Sequence, residues 1–166
     1  MVIIRPIELS DIEAVQKVAR RSWVDTYQDI YSIEYIESFL SKAYSSANLE
    51  HSVIHDQKNE GRRFLVAVLP STQEVVGFIH VLKESEECYE LLRVYILPEH
   101  KGKGIGTELI KEVRNLNDIS KLKAWVEELN HMTRKFYEAR NFKIVGEEVT
   151  TDDGYTTTLI CYEKSF

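Results

Sequence analysis

Three glycines fall within five residues, Gly102, Gly104 and Gly106, in the string YILPEHKGKGIGTELI, and the whole chain has only seven. They stand between an apolar run and an amphipathic one, so a glycine-rich turn joins a strand to a helix. In that arrangement successive backbone amides and the positive end of the helix dipole can hold a phosphate. Glycine suits the place because a side chain would keep ligand oxygens off the amides, and because some positions require positive φ. Lys101 and Lys103 add mobile positive charge. The plainer alternative is a flexible loop whose glycines only permit a tight turn. Two other phosphate motifs do not apply. The string G-x-x-x-x-G-K-[ST] does not occur, and G-x-G-x-x-G fails because the third glycine comes one residue early and the loop lies past mid-chain.

Such a loop must be held by a strand behind it and a helix after it. The length of 166 residues suits one domain, 1–166. With 43% hydrophobic and 29% charged residues it is a soluble globular chain, which excludes disorder. The net charge of −6 has the wrong sign for a nucleic-acid partner. No apolar run approaches the roughly 18 residues of a membrane span, and the start MVIIRPIELSD lacks a secretion signal. A cytoplasmic protein with no membrane partner is expected. Cys88 and Cys161 read as reduced thiols within strands, and no metal is expected.

Residues 2–6 predict a strand ended by proline. Ser10 and Glu13 have the spacing of a capping box, predicting a helix from Asp11 to about Tyr27. Ile33, Ile36, Phe39, Leu40 and Ala43 stripe a second helix after Ser32, and a third covers residues 47–57. From Phe64 the period changes: FLVAVL, VVGFIHVL and YELLRVYIL predict three strands in an antiparallel meander. A helix at 107–115, a strand at 121–126 and a helix at 131–140 follow. Asp153-Gly154 then predicts the turn of a C-terminal β-hairpin. The fold class is α+β, a mixed α/β arrangement with a central mixed sheet of six or seven strands flanked by four or five helices.

The loop string resembles the acetyl-coenzyme A loop of the GCN5-related N-acetyltransferases (GNAT), R/Q-x-x-G-x-G/A after an apolar strand and a proline. Lys101 takes the R/Q position, and Gly104 and Gly106 match the glycines. A second family signature, N-x-x-A-x-x-F-Y-x-x-x-G-F, aligns with Asn130, Thr133, Phe136, Tyr137, Asn141 and Phe142. Thr133 replaces the alanine and Asn141 the glycine. Asparagine is the residue that best tolerates a left-handed helix cap in glycine's stead.

The resemblance implies a single GNAT-like domain that binds acetyl-CoA. Val94, Tyr95 and Ile96 would line the pantetheine arm, with the Ile96 amide polarising the acetyl carbonyl. Lys101, Gly102, Lys103, Gly104, Ile105, Gly106 and Thr107 would hold the pyrophosphate. Asn130 would reach the pantetheine or cap the following helix. Tyr137 would be the general acid for the departing thiolate, and a phenol near pKa 10 suits that task; otherwise Phe136 and Tyr137 are packing aromatics. Glu90 corresponds to the glutamate that takes the amine proton in several members, and strand alternation places it on one face with Leu92, Val94 and Ile96. His80 is the chemical rival, although a lone histidine in an apolar strand is more often packed in a core.

Acceptor choice in this family lies in the first two helices and near the strand of Glu90. Trp23, Tyr27, Tyr31, Glu34, Glu84 and Glu87 are the candidate acceptor contacts, with Asp25, Thr26, Tyr35, Glu37 and Glu86 beside them. Carboxylates among aromatic faces suit a small cationic amine; otherwise the acidic run is a solvated face. The stretch SWVDTYQDIYSIEYIESFL resembles the PaiA-type spermine/spermidine N-acetyltransferases. The expected reaction is acetyl transfer to a primary amine, most simply a polyamine. Acetylation of a protein or peptide amine, and a non-catalytic acyl-CoA sensor, stand as alternatives. A homodimer is compatible with the sequence, which does not say which edge would pair.

Overall fold

The computed structural model describes residues 1–152 and 154–166. In chain order these form β1 (Ile3–Pro6), α1 (Ile12–Tyr27), α2 (Ile33–Ala43), α3 (Ser46–Lys58), β2 (Phe64–Val68), β3 (Val75–Lys83), β4 (Cys88–Ile96), α4 (Ile105–Asn117), β5 (Lys121–Glu127), α5 (His131–Ala139), β6 (Lys143–Asp152) and β7 (Tyr155–Ser165). The strands make one sheet in the order β1-β2-β3-β4-β5-β7-β6. β4 and β5 are parallel, whereas β1/β2, β2/β3, β5/β7 and β6/β7 are antiparallel. The expected mixed sheet, its helices and the C-terminal hairpin are thus present. Of the expected hairpin turn, Asp153 lies outside the described residues, and Gly154 has φ +84°.

The chain divides into two compact units. The first comprises Met1–Val81 and Arg93–Asp118. Its centre is β2, buried along its whole length, as a strand covered on both faces must be. Val15, Val18 and Ala19 of α1, and Leu109, Ile110 and Val113 of α4, are buried stripes of amphipathic helices. Ser32 and Ser45 cap α2 and α3 by accepting the amides of Tyr35 and Asn48 at 3.2 and 3.1 Å.

The start of α1 corrects the expected Ser10–Glu13 box. Leu9–Asp11 form a 3₁₀ turn, and α1 begins at Ile12. The Asp11 carboxylate turns back to accept the Glu8 amide at 2.8 Å and two bonds from the Arg5 guanidinium at 2.7 and 2.9 Å. A paired, charge-assisted contact outcompetes the serine cap.

The second unit comprises Leu82–Leu92 and Ile119–Phe166. Tyr89, Leu91, Leu122, Ala124, Val126, Ile160 and Tyr162 are buried together with Tyr137 and Phe142. The alternate residues of the same strands carry charge: Glu90 pairs in register with Lys123, and Lys123 with Glu163. The β4–β5 ladder ends at Leu91↔Ala124.

Candidate active site

In the first unit, a 3₁₀ turn at Pro98–His100 leads into the glycine loop. Gly102 and Gly104 both take left-handed backbone, φ +76° and +83°, and an added Cβ at either would meet nothing within 4 Å. Glycine is therefore required there by φ and not by crowding, and the space above both residues is open. Gly104 is the N-cap of α4. The Glu108 amide bonds the Gly104 carbonyl at 3.0 Å, so the amides of Ile105 and Gly106 belong to the group that a helix start leaves for a cap or a ligand. These features fit a pyrophosphate. Lys103 is exposed. Lys101 is not the free cation expected, because its ammonium lies 3.0 Å from Asp25 of α1.

Two further contacts tie α1 to the same segment. Arg21 makes a two-bond pair with Glu99 at 2.6 and 2.8 Å, and the buried Ser22 hydroxyl donates to the Ile96 carbonyl at 2.6 Å. Val94, Tyr95 and Ile96 are half-buried at the end of β4, and the Leu97 amide donates to the Val76 carbonyl at 2.8 Å. Gly77 lies against them: a Cβ there would be 2.7 Å from Ile96 Cδ1 and 3.1 Å from the Tyr95 carbonyl oxygen. Neither Ser22 nor Gly77 stood out in the sequence as a site residue. The available signals were a glycine inside an apolar strand, which marks close backbone approach, and a polar residue on an apolar helical stripe.

The expected acceptor aromatics form a ladder. Trp23 stacks on Phe39 at 4.1 Å and meets Tyr27 at 4.4 Å; Tyr27 meets Tyr31 at 5.7 Å, and Tyr31 meets Tyr35 at 4.5 Å. Trp23, Tyr27 and Tyr31 are each buried. Glu34 is exposed, and Glu37 is paired with Arg20. His80 lies flat on Phe64 with ring centres 4.4 Å apart. Burial, helped by the charges of Arg93 and His55, lowers its pKa to about 3. It is neutral at physiological pH and too weakly basic to take an amine proton.

In the second unit, Tyr137 is buried on α5, edge-on to Phe136 and Phe142 at 5.3 and 4.9 Å and stacked on Tyr162 at 5.9 Å. Asn130 is buried, and its Oδ1 caps α5 by accepting the Thr133 amide at 3.1 Å. Asn141 has φ +66°, the left-handed conformation anticipated for the residue in glycine's place. Glu90 is half-buried, and burial, reinforced by Glu84 and opposed by Lys123, holds its carboxyl above the usual range. Glu84 pairs with Lys123 at 2.9 Å, and Glu86 with Lys83 at 2.9 Å. Glu87 is exposed, and its backbone carbonyl accepts the Lys121 amide at 2.9 Å.

Known proteins share this organisation. The structure is similar to a crystal structure of PaiA N-acetyltransferase from Thermoplasma acidophilum in complex with coenzyme A, at TM-score 0.86 and 32% identity, covering 100% of this chain and 99% of that one. A ribosomal-protein-alanine N-acetyltransferase from Brucella melitensis, 20% identical with TM-score 0.71 over 99% of each chain, shares the fold. In sequence, the chain is 37% identical to a spermidine N(1)-acetyltransferase of Thermoplasma acidophilum over 144 residues, 85% of this chain and 88% of the relative. The pattern of the acetyltransferase (GNAT) family matches residues 20–142. That match spans both the glycine loop and the α5 signature, and the kinship continues through their flanks: the chain belongs to the acetyltransferase (GNAT) family.

Proposed function

We propose that this acetyltransferase uses acetyl-CoA to acetylate a primary amine of a polyamine, spermidine or spermine, or of a similar small cationic amine. The observation that carries this reading is the 37% identity, over 85% of the chain, to a relative described as a spermidine N(1)-acetyltransferase. The open left-handed glycines at the start of α4 support the coenzyme. Bound acetyl-CoA supplies a thioester whose carbonyl carbon accepts the amine nitrogen and whose sulfur leaves.

The residues divide the remaining work. The amides of the Gly102–Thr107 segment hold the pyrophosphate, the Lys101 amide being bonded to the Pro98 carbonyl, and the Val94–Ile96 backbone lines the pantetheine arm, with the Ile96 amide donating to the acetyl oxygen. Glu90 takes the ammonium proton before attack; its raised pKa brings it nearer the amine it must deprotonate. As the carbon–sulfur bond breaks, Tyr137 gives its phenolic proton to the sulfur, and the proton that the nitrogen sheds on becoming an amide restores the phenol. Asn130 holds the start of α5, on which Tyr137 stands. Among the acidic candidates, Asp25, Glu37, Glu84 and Glu86 already have cationic partners. Glu34 and Glu87 have no ion-pair partner among the described residues, which makes them the carboxylates readiest for the distal ammonium groups.

The test is thiol release from acetyl-CoA with spermidine, spermine, an amino-acid panel and peptides. Turnover is expected with the polyamines, and Tyr137→Phe should lower kcat by roughly 10² to 10⁴ while keeping CoA affinity. Tight CoA binding with no polyamine turnover would overturn the acceptor assignment, and an unchanged kcat in Tyr137→Phe would remove the acid.

A further inference from the structure

We propose that Lys123 and Glu84 form a positioning pair that sets the charge state of Glu90, Lys123 favouring the ionised carboxylate and Glu84 opposing it. The proposal rests on the reading of Glu90 as the base. Its ground is the geometry of one sheet face in the second unit. Glu90 on β4 stands directly opposite Lys123 on β5 in the parallel ladder, and Lys123 stands opposite Glu163 on β7. Directly paired residues have their Cβ atoms about 5 Å apart, so the three charges run in a line across the strands.

Lys123 is not free to serve Glu90 alone. Its ammonium is 2.9 Å from Glu84 Oε2, and the turn that carries Glu84 is pinned: the Glu84 and Ser85 amides both donate to the Cys88 carbonyl, at 3.0 and 3.1 Å, and the Cys88 amide donates to Ser85 Oγ at 3.1 Å. The remaining titratable groups on this face lie further along the line or are weak, and Lys143 of β6 stands opposite Glu163 at its far end. Glu163 is 3.7 Å from Lys121. Cys88 donates to Glu84 at 3.7 Å, and burial pushes both its thiol and that of Cys161 up, keeping them neutral. Glu84 and Lys123 are thus the two charges that act on Glu90, with opposite signs. Since Glu84 also draws the Lys123 ammonium to itself, its removal acts twice in the same direction: one negative charge leaves and one positive charge is released toward Glu90.

Two variants should therefore move Glu90 in opposite directions. For partly exposed unit charges about 7 Å apart in a water-like dielectric, loss of one charge should shift its titration by about 0.5 pH unit, roughly threefold in the ionised fraction on the acid side, and Glu84→Gln should exceed this because it also releases Lys123. The experiment titrates the Glu90 side-chain carboxyl by ¹³C NMR, its signal assigned by loss in Glu90→Gln, alongside pH profiles of kcat/KM with spermidine. Lys123→Met should move the titration up, Glu84→Gln should move it down, and Lys123→Arg, which keeps the charge, should leave it near wild type. Shifts of the same sign in Lys123→Met and Glu84→Gln, or a Glu90 signal unmoved in both folded variants, would overturn the proposal. If the carboxyl moves as expected but Glu90→Gln keeps the wild-type acid limb, the pair stands and the base assignment falls. If Glu90→Gln loses the limb and the carboxyl does not move, the base stands and the pair falls.

Discussion

Gly77 offers the sharpest test of how β4 is held. Placing a methyl group there puts carbon 2.7 Å from Ile96 Cδ1, 3.1 Å from the Tyr95 carbonyl oxygen and 3.7 Å from Ile105 Cγ2. Carbon atoms rest at about 3.5 to 4.0 Å, so the first contact is short by roughly 0.8 Å. The tip of Ile96 can turn aside, but the carbonyl belongs to the β4 backbone and yields only if the strand shifts by a few tenths of an ångström. Overpacking of this kind costs about 1 to 3 kcal/mol, which for a chain of this size lowers Tm by on the order of 5 °C. The shift falls next to the Ile96 amide proposed to bind the acetyl oxygen. A displacement of about 1 Å can cost 10² in rate, so about tenfold in kcat/KM is expected of Gly77→Ala. Adding Ile96→Val removes the clashing Cδ1 but not the carbonyl contact. The double variant should therefore regain only the part of the Tm that the Cδ1 contact costs, with a coupling of about 1 kcal/mol, and little of the rate. Thermal melts and thiol-release kinetics read the two quantities separately. A Gly77→Ala protein with wild-type Tm and wild-type kcat/KM, or no coupling to Ile96→Val, would refute the reasoning.

The other two predictions concern the coenzyme loop and the buried histidine. Gly104→Ala forces an L-residue to φ +83° at the cap of α4 but meets no neighbour, so stability should fall by only about 1 kcal/mol while CoA affinity, read by calorimetry, falls at least about tenfold; equal affinity would remove the loop from the coenzyme site. His80 has a folded-state pKa of about 3, below its ordinary 6.5, so the folded protein refuses a proton that the unfolded chain accepts. Its contribution weakens stability as pH falls below about 6.5 and continues to do so down to about 3, amounting to about 2 kcal/mol between pH 7 and pH 5. In urea melts at pH 7 and pH 5, His80→Phe, which keeps an aromatic ring against Phe64, should lose about that much less than wild type; parallel losses would exclude His80 as the source.

What could be read from the residues in advance was whatever is encoded over short spans. Period 3.6 and period 2 located the helices and strands within a few residues, because each element buries its own stripe or face. The glycine loop was legible for a related reason: its geometry is local, with left-handed positions at Gly102 and Gly104 that few residues tolerate, whereas the Asn130–Phe142 stretch was legible only through its resemblance to the family signature. The α1 boundary was not, because Asp11 answers to Arg5 and to the Glu8 amide as well as to its own helix. Charge was legible in amount but not in partnership. Asp25, Glu37 and Glu84 read as open carboxylates, and each is matched to a cation from a distant stretch of chain. Ser22 and Gly77 escaped notice for the same reason, since their partners lie 74 and 19 positions away, a separation that no window of local periodicity spans.

The turn of α1 from Arg21 to Asp25 grips the chain from Ile96 to Lys101 at three points, and the same helix carries Trp23 and Tyr27 among the proposed acceptor contacts. With both ligands placed as proposed, free energy that either gains through this turn is shared with the other, and linkage makes the sharing reciprocal. On the proposed assignment of these contacts, substrate range and coenzyme affinity are not independent traits. On that assignment a substitution in this turn of α1 that admits a new amine would also act on the coenzyme segment, so divergence toward other acceptors would have to compensate for changes at Glu99, Lys101 and the end of β4.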